Sequence, residues 1–376
     1  GAAQASAAAP SSSSAPNGGG SSEAPASPAK TKVSKKIDGA AVVDYHFKVS
    51  SVITIVWFVV LTAAMYIIVP SERIERLEGI ERTAATLAAA TLGVSCLSTI
   101  HRSFSGVIAA ALVVQLCAVV TDVLMAAGPV PVLIDNVTGA RVHMLRWCEF
   151  APLAFLMTLL TEGGDMANDP EGGIRTAYVL AITQGASTMF GLIFPFMPGV
   201  KSWAFCLFSA LLLFMPIFFR LAGKMKKVRS MDPKGKTYRR SVLCLRLLVV
   251  EAVVWTLLVV GYLVANVLPA FVSGMPSLRH PAITMLYDCT MDVLAKVIYM
   301  ALIVNVHDAM FSQESSSQGG RSTMRGRDGL TVEELRAKEA RRQLRKQKRA
   351  EKERREAAKA KKAVEAAAKG ETPKVQ

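Results

Sequence analysis

Charged residues are scarce in this sequence. They make up 19% of its 376 residues, whereas 51% are hydrophobic, and the mean hydropathy is positive. Long central stretches carry almost no charge, so the excess of 44 Lys and Arg over 29 Asp and Glu must lie in tails and loops. This balance is atypical of soluble globular proteins and indicates a membrane protein with basic segments on one side.

Cysteines are also few, and all six fall inside apolar stretches. Such cysteines pack as small hydrophobic side chains. A disulfide-stabilised secreted scaffold is therefore excluded.

Large apolar side chains are missing from both ends of the chain. Residues 1–44 are mainly Ala, Ser, Pro and Gly, which cannot offset the entropy of ordering, and are predicted to form a disordered tail. Residues 312–330 resemble a linker, and residues 331–376 are predicted to form a charged helix and tail without a sustained heptad pattern. The middle, residues 45–311, is predicted to be one membrane domain.

This domain contains apolar runs of about 20 residues, the length that an α-helix needs to cross a bilayer. They predict an all-α membrane protein with eight spans, at about 48–69, 83–101, 105–127, 142–161, 174–197, 202–222, 241–268 and 281–307. Basic loops at 101–103 and 223–240, and both basic tails, fall on the same side, which places both termini in the cytoplasm. The stretch VLIDNVTGARV on the other side alternates around a turn and predicts a hairpin.

Ionisable side chains inside a membrane are costly, so each is a candidate for function. They are Asp122, Arg146, Glu149, Arg246, Glu251, Asp288, Asp292 and Lys296. Lys296 lies near the middle of its span, and Asp292 is one helical turn earlier on the same face. The pair could be a structural salt bridge. Alternatively, Lys296 could form a Schiff base with an aldehyde, with Asp292 and Glu149 as counterions and Arg146 balancing their charge.

The string Met291-Asp292-Val293-Leu294-Ala295-Lys296-Val297 resembles the last helix of microbial (type 1) rhodopsins. The resemblance implies a seven-helix bundle with one extra N-terminal span, and a retinal Schiff base at Lys296. The spacing from Arg146 to Glu149 resembles the third helix of that family, where the arginine lies outward of the primary counterion.

Further pocket residues follow from the resemblance. Trp255 and Tyr262 would pack on the retinal, and Phe150 stands where the family usually has tryptophan. Gly185 and Gly191 would leave room for the ionone ring.

The resemblance also has departures. Leu160 occupies the position at which efficient proton pumps hold an internal donor, and Leu153 replaces an expected threonine. Glu251 could replace the missing donor, while Asp122 and Asp288 could act as secondary counterions or as a proton exit group. Sustained pumping is therefore not expected.

An added N-terminal span is similar to the enzyme-linked rhodopsins, but the segment after the last span has no nucleotide-binding or metal-binding pattern. We therefore predict a light-sensing photoreceptor without enzymatic activity or a metal site. The alternative is a light-driven ion transporter, either a weak proton pump or a channel. Expected partners are the lipid bilayer, other subunits of a homo- or hetero-oligomer, and a signalling protein at the C-terminal helix. No nucleic acid partner is expected.

Overall fold

The computed structural model of the protein describes residues 39–102, 105–169, 171–233, 236–272 and 280–317. The predictions for residues 1–38 and 318–376, which include most of the tail, most of the linker and the charged C-terminal helix, lie outside these residues.

Eight of the described helices are long and apolar enough to cross a membrane, which confirms the predicted number of spans. The chain is a multi-pass membrane protein. The spans are Gly39–Ile68, Gly79–Ile100, Gly106–Ala127, Met144–Thr161, Gly172–Phe196, Val200–Ser230, Thr237–Phe271 and Ala282–Phe311.

The helices and strands follow one another in a simple order. They are α1 (Gly39–Ile68), β1 (Ile74–Arg76), α2 (Gly79–Ile100), α3 (Gly106–Ala127), β2 (Pro129–Ile134), β3 (Arg141–His143), α4 (Met144–Thr161), α5 (Gly163–Asn168), α6 (Gly172–Ile193), α7 (Val200–Phe214), α8 (Pro216–Ser230), α9 (Lys236–Tyr262), α10 (Leu268–Phe271), α11 (Pro281–Val293) and α12 (Met300–Ser317). Two π-helical segments, Leu263–Val267 and Leu294–Tyr299, join α9 to α10 and α11 to α12.

Local sequence explains where several helices begin. The Ser105 side chain accepts a hydrogen bond from the Ile108 backbone N–H at the start of α3, as expected of an N-cap. Pro216 occupies the first position of α8, where its missing N–H does no harm, so the sixth span consists of two consecutive helices, α7 and α8.

The predicted hairpin is confirmed. Strands β2 and β3 are antiparallel, and Ile134 pairs with Arg141 across the turn. The Asp135 carboxylate accepts the Val137 backbone N–H at 2.8 Å, and Gly139 adopts a φ of 69°, which glycine tolerates well. Strand β1 adds a third strand beside β2. We call the end of the bundle that carries this sheet the hairpin end, and the opposite end the α5 end.

Three predicted boundaries are wrong. Helix α1 begins at Gly39, inside the predicted tail, because Asp44 accepts a hydrogen bond from the Gly106 backbone N–H and so ties the first turns to α3. Helix α8 continues to Ser230 through the predicted loop. Helix α12 continues to Ser317, inside the predicted linker.

The first helix packs against α3 and α4, and some of its side chains reach α6. Tyr178 of α6 lies 3.0 Å from the Ser50 hydroxyl of α1, and the Trp57 ring meets Phe155 edge to face. Together with α3, α6 and α9, helix α1 encloses α4, in which 94% of the residues are buried, a far larger share than in any other candidate span. Burial on all sides isolates the functional side chains of α4 from lipid.

Gly185 lies where α1, α4 and α6 meet, so a substitution at this position tests this packing. A Cβ at this position would lie 3.1 Å from the Trp57 ring and 3.2 Å from the Ala151 carbonyl oxygen. We expect Gly185→Val to reduce the free energy of unfolding by about 1–3 kcal/mol through overpacking, measured by denaturant titration in detergent. Gly93→Val is the control because a Cβ there meets nothing within 4 Å; equal losses in the two variants would contradict the packing argument.

Candidate functional site

Five ionisable side chains from three spans meet in the middle of the bundle. We call Asp122, Arg146, Glu149, Asp292 and Lys296 the central cluster. The Lys296 ammonium nitrogen lies 2.5 Å from an Asp292 oxygen and also donates to Glu149. Arg146 donates to Asp292 and, at 2.6 Å, to Asp122.

These five side chains are at most 2% exposed. Charges that are removed from water must be paired to offset the loss of hydration. Arg146 and Lys296 provide the cations, and each pairs with two or more carboxyl groups. The structure therefore brings together the residues that the sequence singled out; their roles toward a chromophore stay predictions.

Lys296 lies in the π-helical segment Leu294–Tyr299. Such segments are rare and occur often at functional sites, because a wider turn releases backbone groups from the regular ladder. The Lys296 carbonyl oxygen is 3.4 Å from the side-chain nitrogen of Gln115, which also donates to Ser95 at 2.9 Å. Helices α2 and α3 thus support the backbone that carries the lysine.

An apolar cavity of about 310 Å³ lies beside the central cluster. Its aromatic lining comes from five spans and consists of Trp147, Phe150, Phe194, Phe214, Trp255, Tyr262 and Tyr287. Phe150 connects the two regions, because the Lys296 nitrogen lies 4.8 Å from the centre of its ring. The cluster therefore meets the cavity at Phe150.

The two glycines predicted to make room for a ligand ring have different surroundings. Gly191 lines the cavity, and a Cβ there would overlap the Trp147 ring, so only glycine admits that ring. Gly185 contacts Trp57 and Phe155 instead. Gly185 faces the added first helix and is not among the residues that line the cavity, so its predicted ligand contact stays a prediction.

A second group of polar side chains occupies the α5 half of the bundle. Thr158 donates to the buried Glu251 carboxyl at 2.5 Å, and the Thr161 hydroxyl lies 2.5 Å from the Tyr299 hydroxyl. Buried Leu153 and Leu156 lie on α4 between this group and Glu149. The two polar regions are thus separated by apolar packing.

Two further candidates lie at the edge of these regions. Asp288 is half-buried and lines the cavity. It is close enough to Arg146 and His143 for its charge to interact with theirs. Arg246, an ionisable residue of the seventh span, is exposed on the outside of the bundle. Its long side chain can reach the membrane surface from there.

Four charged residues at the α5 end form a separate ionic group, which we call the α5-end cluster. Glu162 and Asp165 accept hydrogen bonds from Arg220, each at 2.7 Å. The Lys224 nitrogen lies 2.8 Å from Glu162 and 3.3 Å from Asp165. The cluster joins α5 to α8 and explains why α8 continues past its apolar part.

The α5-end cluster and Trp147 were not predicted from the sequence. Glu162 and Asp165 are three residues apart, and Arg220 and Lys224 are four apart, so each pair shares one helix face. These matched spacings at the ends of two spans were a usable signal. Trp147 had none, because its place in the cavity depends on Gly191 of another helix.

The α5-end cluster should contribute strongly to stability. Glu162→Gln leaves both cations facing Asp165 alone, and breaking a buried ion pair costs about 3–5 kcal/mol. We expect a loss of that size in the free energy of unfolding in detergent. Exposed Glu171 on the same loop provides the control Glu171→Gln, which should change stability by less than about 0.5 kcal/mol; similar losses would contradict the assignment.

No protein-family model and no curated protein matches the sequence. Among solved structures, the transmembrane domain of the Salpingoeca rosetta rhodopsin phosphodiesterase is similar, with a TM-score of 0.50 and 12% identity over 68% of this chain and 96% of that one. A second structure, of that domain with its linker region, has a TM-score of 0.47 and 13% identity over 73% and 97% of the two chains. Thermophilic rhodopsin from Rubrobacter xylanophilus has a TM-score of 0.48 and 14% identity over 61% and 97%. The chain thus has the microbial-rhodopsin fold, as the sequence predicted.

Proposed function

We propose that this protein is a retinal-binding light receptor and that Lys296 holds the chromophore. The observation that carries the proposal is a single buried arrangement: the Lys296 amine lies between Glu149 and Asp292, beside the aromatic cavity. A buried amine between two carboxylates suits carbonyl chemistry, because a carboxylate can take the proton of the ammonium group and so free the nucleophile, and the pair can then hold the cation that results.

The residues present fit retinal. Its elongated apolar skeleton needs a narrow apolar cavity, and the cavity beside the central cluster is lined mainly by aromatic and aliphatic side chains. Gly191 admits the Trp147 ring into the wall of the cavity. Trp255 and Tyr262 line the same cavity further along α9, and together these rings exclude water.

Retinal joined to the Lys296 nitrogen would supply absorption of visible light and isomerisation of a double bond. Glu149 and Asp292 would hold the positive charge at that nitrogen, and Glu149 would accept its proton. Arg146 orients Asp292 by donating to it. The protein thus supplies the counterions and the enclosure.

Light sensing is the proposed output. Tyr299 lies one turn beyond Lys296 and contacts Thr161 of α4, next to the α5-end cluster. A shift of the lysine helix can therefore act on α5 and α8 without opening a path for ions, because Leu153, Leu156 and Leu160 are buried along α4. We place the hairpin end outside the cell and both termini in the cytoplasm, where a partner could contact the C-terminal segment.

Removing the lysine tests chromophore binding. The protein expressed with all-trans-retinal should show a visible absorption band, and Lys296→Ala should lack it because the covalent link is lost. Lys201→Ala is the control, since Lys201 is exposed on α7, and it should keep the band. A wild-type protein that is folded but shows no visible band would contradict the proposal.

Electrical recording tests sensing against transport. Glu251, Thr158 and Tyr299 give the α5 half some polar groups, which is the feature that favours a weak transporter. A sensor should give no photocurrent in a voltage-clamped cell at light levels that bleach the visible band. A sustained current that Lys296→Ala abolishes would assign transport instead.

A further inference from the structure

The central cluster contains more carboxyl groups than cations. Asp122, Glu149 and Asp292 face only Arg146 and Lys296, and the ion pairs of the described residues add no further cation. If all three carboxyl groups were ionised, the cluster would carry one uncompensated negative charge. Its side chains are at most 2% exposed to solvent, so water could not stabilise that charge. An isolated buried charge is so costly that the group takes up a proton instead.

The contacts of the three carboxyl groups identify the one that holds the proton. Asp292 accepts from both Arg146 and Lys296. Glu149 accepts from Lys296 through one oxygen, and its other oxygen, which has no hydrogen-bond partner, lies 3.7 Å from Arg146. The second oxygen of Asp122 also has no hydrogen-bond partner, but among the described residues Asp122 pairs with Arg146 alone. Asp122 therefore has the weakest cationic compensation.

Within the part of the chain that the structure describes, the charged groups that act on Asp122 are Arg146, Glu149 and Lys296, and they include no third cation. On α4 the ionisable neighbours are Arg146 and Glu149, and on the last span they are Asp288, Cys289, Asp292 and Lys296. Helix α2 packs along α3, and its buried residues between Glu81 and Cys96 are Ala84, Ala85, Ala88 and Leu92. Half-buried Asp288 would add negative charge to the group if ionised.

We propose that Asp122 is a proton-binding site that keeps the central cluster neutral in the resting protein. Loss of this proton would place a new negative charge beside Arg146 and strengthen the stabilisation of positive charge at the Lys296 nitrogen. The optical consequence of this proposal rests on the proposed function, because a chromophore must report the charge; the protonation itself does not.

The neutral isostere Asp122→Asn provides the optical test. If Asp122 carries a proton, the variant keeps the wild-type absorption maximum at neutral pH, since one neutral side chain replaces another. Raising the pH should shift the wild-type band to shorter wavelength and leave the variant unshifted. A shift to longer wavelength in the variant at neutral pH, or equal alkaline shifts in both proteins, would overturn the proposal.

Two further variants and a salt titration complete this test. Glu149→Gln should shift the neutral-pH band to longer wavelength, because it removes an ionised partner of Lys296. Asp122→Ser is also neutral and is used in place of Asp122→Asn if the latter protein does not fold. A wild-type band that follows sodium concentration at constant pH would identify a bound metal cation as the compensating charge and reject the proton.

An infrared measurement separates this inference from the proposed function. In the retinal-free protein at neutral pH, the carbonyl stretch of a protonated carboxylic acid should be weaker in Asp122→Asn than in the wild type. Asp308→Asn is the control, because Asp308 is exposed and paired with Arg102, so no such band should be lost. Identical spectra for wild type and Asp122→Asn would reject the proton on Asp122 even if no visible band forms with retinal.

Discussion

The pairing of Lys296 with Glu149 and Asp292 is the constraint on which the arrangement of the bundle depends. A lysine at mid-membrane cannot remain charged without partners, and its carboxylates come from its own helix and from α4. Arg146 extends the pairing to Asp122 of α3. Three spans must therefore converge at one depth, which fixes their rotation as well as their spacing.

The aromatic cavity and the central cluster depend on each other through α4. Trp147 and Phe150 line the cavity, while Arg146 and Glu149 on the same two turns enter the cluster. Helix α4 therefore presents polar or aromatic groups in several directions. The added helix α1 covers the face of α4 that carries Phe155, where Trp57 packs against that ring.

The α5-end cluster stabilises the end of α4 that lies opposite the central cluster. Arg220 and Lys224 hold α8 against Glu162 and Asp165, and Thr161 links the same turn to Tyr299. A displacement at the lysine helix thus meets a buried ionic contact instead of a mobile loop. The lysine helix and α8 are thus both connected to the last turn of α4 through buried polar contacts.

The sequence by itself determined the eight spans, the hairpin and the choice of Lys296, Asp292, Arg146 and Glu149 as charged side chains that pair inside the bundle. Apolar run length and helical spacing are local properties, so they can be read along the chain. Only the tertiary structure decided that Gly185 faces Trp57, that Arg246 points outward and that Lys224 is buried with Glu162. These facts depend on which helix lies beside which, and residues far apart in sequence set the burial and the charge balance of each side chain.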